Sequence, residues 1–220
     1  MQVVDPVSLA LILLTMSILP FVAMVVTSYT KIVIVLGLLR NALGVQQVPP
    51  NMVLNGIALI VSVYVFAPVG FEAAEAIKGR PASSTSSSSS LVPQVFGYFD
   101  AGREPFRKFL SKHAHEREKA FFLKSAHTLW PKAQADAVKT DDLIILAPAF
   151  TLTELTEAFK IGFVLYLVFV VIDLVVANVL LAMGLSQVQP NNIAIPFKLL
   201  LFVMLDGWSL LIHGLILTYR

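Results

Sequence analysis

The chain has 220 residues, 57% of them hydrophobic and 14% charged, with a net charge of +2 and no cysteine. That balance, together with a strongly positive mean hydropathy, excludes an ordinary soluble globular domain and makes a membrane protein the default. No basic run or face marks a nucleic-acid surface, and without cysteine there are no disulfides, thiolate metal sites or thiol nucleophiles.

In chain order, the first element is an apolar run from Pro6 to Val26. Its lead, "MQVVDPVSLALILL", has Asp5 where a cleaved secretory signal carries a basic region, so it reads as a retained helix. "TSYTKIVIVLGLLRNALGVQQVPPN" follows as a connection with Lys31 and Arg40 and no acid, and a second apolar run covers Met52 to Phe71. A third and a fourth run cover Ile161 to Leu185 and Phe197 to Leu217, joined by "SQVQPNNIAIPFK" with Lys198 as its one charge. Each run is close to the roughly 20 residues that cross a hydrocarbon core of ~30 Å. The fold class is therefore all-α. Two long apolar helical hairpins, residues 1–71 and 151–220, flank a polar segment, 72–150.

That polar segment opens with the serine-rich stretch 82–90, which has nothing to bury and is expected to be mobile. Beyond it, Phe106, Phe109, Leu110, Phe121, Phe122 and Trp130 recur among charges at helical spacing until Pro131, a small helical subdomain. Thr151 and Glu154 have the form of a capping box and predict a helix starting there and running on towards Gly184. The short connections carry Lys31, Arg40 and Lys198 without acids, which places them on the cytoplasmic side and the polar segment outside.

The third and fourth runs hold Asp173, Asn178 and Asp206. An Asp at a helix centre costs roughly 2.5–3.5 kcal/mol on the insertion scale, so both acids are expected to face protein or water. With the turn centred near Pro190, Asp173 and Asp206 lie at similar depth and Lys198 falls near Met183, too far towards the turn to pair with either. A cation from another subunit, or protonation of one acid, would then satisfy them. Acids without a role inside the bundle, and a proton- or ion-coupled transporter using Asp173 and Asp206, are the alternatives. The break between Gly184 and Pro190 is either an ordinary hairpin turn or buried backbone bordering a water-filled passage.

His113 and His115 fall on different sides of a helix and no third ligand is near. No nucleophile with a base, phosphate loop or zinc signature is present. Nothing in the sequence calls for a cofactor or a metal.

"TSYTKIVIVLGLLRNALGVQQVPPN", "PAFTLTELTEAFKIGF", "IDLVVANVLLAMG" and "PFKLLLFVMLDGW" closely resemble the FliP/SctR family, inner-membrane export-apparatus subunits of type III secretion systems and flagella. The resemblance implies a non-enzymatic subunit in a ring of five. Its partners would be FliQ/SctS-like and FliR/SctT-like subunits and a FlhB/SctU-like subunit, together forming a gate for unfolded proteins leaving the cytoplasm. It also implies that the hairpins pack on neighbours, where Asp173, Asn178, Lys198 and Asp206 can be satisfied, and that the polar segment lies on the periplasmic side. Many members carry a methionine run after the glycine matching Gly184. Here Leu185, Ser186 and Gln187 stand there, with Met183 just before, as the candidate pore constriction. The absence of a leader and the ending "IHGLILTYR" resemble the virulence branch more than the flagellar one.

Overall fold

The computed structural model describes residues 24–45, 47–78 and 91–220 and the single positions 10, 13, 14, 17 and 18, with backbone alone for 91–101. The serine-rich stretch and most of the first apolar run lie outside the described residues. Every regular element among the described residues is a helix: α1 (Tyr29–Ala42), α2 (Asn51–Lys78), α3 (Leu91–His113), α4 (Glu116–Leu129), α5 (Lys132–Ala135), α6 (Leu143–Ala182), α7 (Pro190–Met204) and α8 (Gly207–Leu217). The all-α expectation is met, with α2 and α6 long and apolar enough to cross a membrane.

Three local expectations are corrected. The segment expected as a connection before the second run is helix α1, and Ile32, Val35, Leu36 and Leu39 are fully buried in it. Their i, i+3, i+4, i+7 spacing gives α1 a stripe that shares its clusters with α2, α6, α7 and α8. Thr151 does not open a helix. α6 starts two turns earlier, where the Asp142 carbonyl accepts from the N–H groups of Ile145 and Leu146, both at 2.9 Å. The Thr151 hydroxyl instead turns back to the Ala147 carbonyl at 2.9 Å, as hydroxyls inside helices commonly do. The fourth run is not one straight helix, because α7 and α8 meet at 63° across Leu205 and Asp206.

The chain divides into two compact units. One comprises Met1–Ser28 and Phe66–Thr153. Its core gathers Val26, Leu110, Ala114, Leu146, Ala149 and Phe150. Phe66 stacks edge-on against Phe106 and Phe109, at 5.8 and 5.1 Å between centroids. The expected helical subdomain is here as α3 to α5, and α4 does end at Trp130–Pro131. His115 lies outside the helices, at the N-cap of α4, and its N–H donates to Thr153 Oγ1 at 3.0 Å. Lys119 is buried and closes the α3–α4 corner by donating to the Ser111 carbonyl at 2.7 Å and to Glu116 at 2.8 Å.

The other unit comprises Tyr29–Val65 and Glu154–Arg220. Ile32, Val35 and Leu36 of α1 meet Leu54, Ala58 and Val61 of α2, Ala158 of α6 and Leu215 of α8. A second cluster joins Leu39, Ala42 and Leu43 to Phe169 and Phe202. Arg40 closes the α1–α2 turn, its Nη1 donating to the Pro49 carbonyl at 3.2 Å and to Asn51 Oδ1 at 2.6 Å. α1 and α6 run alongside each other, and Gly162 makes the approach possible. A Cβ there would sit 2.2 Å from Leu38 Cδ1, well inside van der Waals contact.

Candidate functional site

Two buried lysines of this second unit form ion pairs, one at each end of α1. At the far end, Lys198 of α7 is buried and sits 2.6 Å from Asp173 Oδ2 of α6. Its ammonium also donates to the carbonyl of Ala42, the last residue of α1, at 3.1 Å. A helix C-terminus presents unpaired carbonyls and the negative end of the helix dipole, so one cation there answers both α1 and the carboxylate. Three helices are tied at one point.

The expectation that Lys198 cannot reach Asp173 is therefore wrong, and the turn explains why. Pro190 is not the centre of the turn but the first residue of α7, a position that suits proline because the missing N–H has no intrahelical partner there. α6 ends at Ala182, so the loop is centred near Ser186. Asp173 and Lys198 then lie almost equally far from the facing helix ends.

At the near end of α1, Lys31 and Glu154 form an ion pair at 2.9 Å with side chains 5% and 1% exposed. The Tyr219 hydroxyl donates to the second Glu154 oxygen, and the Lys31 ammonium lies 4.2 Å from the centre of the Tyr219 ring, within cation–π reach. Lys31 also approaches Thr218 Oγ1 at 3.5 Å. Burial first, and the Glu154 carboxylate second, push the Tyr219 phenol well above its ordinary range, so it stays a donor. The cluster joins α1, α6 and the segment after α8. This network is not legible in the sequence, where Lys31 has the place of a loop cation and Glu154 that of a cap. Its one signal is Lys31's place as a lone charge inside an apolar stretch. Because Lys31 and Lys198 are both inside ion pairs, Arg40 is the loop cation that remains for orienting the short connections.

The other expected site residues stand apart from these pairs. Asn178 and Asp206 are exposed. Asp206 lies in the left-handed region (φ 50°) at the α7–α8 break, and its carboxylate does not cap α8. Met183 and Leu185 are 63% and 40% exposed, and Ser186 and Gln187 are exposed as well. This turn is built by Gly184 at φ +74°. The Leu185 N–H returns to the Leu180 carbonyl and the Gly184 N–H to that of Leu181, both at 3.0 Å. That is the Schellman closure, which favours glycine at the left-handed position.

Within the most apolar stretch of α6 only 11% is buried. Phe163, Val164, Leu167, Val168, Val171 and Leu174 are all more than half exposed. A helix apolar around its circumference with its charges turned inward needs cover from lipid or other helices. The class is thus a membrane-associated helical subunit, locked internally by two lysine–carboxylate pairs and unfinished on its outer faces. Comparison with known proteins gives the family. The FliP family model matches residues 12–215, and the chain belongs to the FliP family.

The chain is 64% identical to the hypersensitivity response secretion protein HrcR of Ralstonia nicotianae over 220 residues, all of both chains. It is 49% identical to Yop proteins translocation protein R of Yersinia pestis over 218 residues, 99% of this chain and 98% of the other. Virulence protein YscR of Salmonella typhimurium is 38% identical over 220 residues, 98% of this chain and 97% of that one. Family membership, and the engagement of Asp173 by Lys198, leave the transporter alternative built on Asp173 and Asp206 without support.

Proposed function

We infer that this chain is an export-apparatus subunit of a type III secretion system of the virulence branch, and we propose that it is a structural, pore-forming part of the export gate. It works by assembly and gating, conducts unfolded proteins out of the cytoplasm and performs no covalent chemistry. The single observation that carries this reading is the exposed apolar circumference of α6 beside two inward-facing lysine–carboxylate pairs. Such a helix is complete only when lipid or neighbouring subunits cover it, and its inward-turned charges leave that outer face free for them.

Five copies of the chain form a ring with FliQ/SctS-like, FliR/SctT-like and FlhB/SctU-like subunits in the bacterial inner membrane. Residues 72–150 stand on the periplasmic side. Arg40, in the last turn of α1, supports a cytoplasmic position for the connection that follows. The exposed turn of Met183, Leu185, Ser186 and Gln187 lines the constriction. Its Gly184 closure projects the loop beyond the end of α6, which supports that role.

The test uses the absence of native cysteine. Ser186→Cys and Gln187→Cys, oxidised in the assembled apparatus, are expected to crosslink copies of the chain and block secretion. Crosslinks without effect on secretion would remove the turn from the constriction, and a monodisperse monomer after mild detergent extraction would remove the ring.

A further inference from the structure

One acid stands apart in the unit Tyr29–Val65 and Glu154–Arg220. The acidic residues of that unit are Glu154, Glu157, Asp173 and Asp206. The first three are paired with Lys31 at 2.9 Å, Lys160 at 2.7 Å and Lys198 at 2.6 Å. Among the described residues no ion pair or side-chain hydrogen bond engages Asp206. It occupies the N-cap of α8, where an aspartate normally accepts from the first turn, yet its side chain makes no such bond. Its surroundings are apolar, with Val203, Met204 and Leu205 exposed by 70%, 76% and 58%. The carboxylate is exposed beside an apolar surface, which is costly in a bilayer unless water or a cation meets it.

A groove lies beside it. Leu205 and Gly207, the two neighbours of Asp206, belong to the lining of an apolar cavity of about 440 Å³ that also includes Leu165, Phe169, Leu201 and Leu210. Gly207 is needed at this wall, since a Cβ there would meet the Phe202 ring at 2.3 Å. We propose that this groove and Asp206 together receive an apolar helix of a different subunit, one that carries a single lysine or arginine. The large apolar side chains of that helix fill the groove and its cation closes the pair at Asp206.

Charge complementarity points away from a second copy of this chain. On its apolar helices Lys31, Lys160 and Lys198 are already paired, Arg40 is held by Pro49 and Asn51, and Lys78 ends α2 beyond its apolar run, three residues after Glu75. Arg220 follows those helices rather than lying on one. This inference rests on the export-gate reading and adds the chemistry by which another subunit is recognised.

The experiment uses the whole apparatus, recovered from cells through a tag on this chain. With Asp206→Asn, co-recovery of the other membrane subunits should fall tenfold or more, as for loss of one member of a desolvated ion pair, while Asp206→Glu retains it. A photoreactive residue at Leu210 should crosslink to a peptide of another subunit with Lys or Arg within one helical turn. Exchanging that cation for Glu should restore recovery to Asp206→Lys. Unchanged recovery with Asp206→Asn, a crosslink only to a second copy or to lipid, or failure of the exchange would overturn the proposal. If Asp206→Asn also loses the homo-oligomer, the charge exchange alone decides. A wild-type particle without any other subunit would instead count against the export-gate reading itself.

Discussion

Replacing Lys31 by methionine puts the buried network to its sharpest test. The change keeps most of the side-chain volume and removes the ammonium that sits 2.9 Å from Glu154. Because Glu154 is 1% exposed, its carboxylate loses its cation where water cannot replace it, and breaking a buried pair in this way costs about 3–5 kcal/mol. For a chain of this size each kcal/mol moves the melting temperature by roughly 2–4 °C, so a fall of about 10 °C is expected for the detergent-extracted complex, followed by tryptophan fluorescence. Tyr219→Phe removes one hydrogen bond to the same carboxylate, worth about 1.5–3 kcal/mol, and should give a smaller fall. The double replacement Lys31→Met with Glu154→Met removes both charges and should recover most of the loss, since an apolar pair of similar volume is often as stable as the ion pair. Melting of Lys31→Met within about 2 °C of the parent protein would refute a buried ion pair at this position. So would a double replacement as unstable as the two single changes added together.

Lys198→Met should cost less than Lys31→Met, about 1–3 kcal/mol, because Asp173 is 36% exposed and partly screened; the same melting measurement ranks the two, and the reverse order would contradict the assignment of burial. Gly162→Ala should destabilise by about 1–3 kcal/mol through the clash with Leu38. Adding Leu38→Ala should relieve most of that, which a double-mutant cycle reads directly, and additive losses would show that the two helices do not meet there. Gly184→Ala places a Cβ in open space but at φ +74°, so the expected loss is about 1–2 kcal/mol from backbone strain alone. Gly184→Asn should lose less, and equal melting of all three proteins would argue against the left-handed closure.

The helical class, the membrane setting and the family were legible in the residues. Runs of about twenty apolar residues leave few alternatives to helix, and the quoted segments carried the FliP resemblance before any geometry was known. Proline at 131 marked a true boundary because its effect is local. Proline at 190 was misread because the same residue suits either a turn or the first position of a helix. Choosing between them shifts the pairing of α6 and α7 by several residues. That shift decides whether Lys198 meets Asp173.

Other features belong to the tertiary structure alone. α1 was read as a connection because its charges, Lys31 and Arg40, are those of a loop on the positive-inside rule; folding buries one against Glu154 and uses the other to close a turn. Local sequence sets helicity and hydropathy, whose causes lie within a few residues. The partner of a buried charge is set by which helices cross and at what depth, and residues as distant in the chain as Lys31, Glu154 and Tyr219 become neighbours only when that packing is complete.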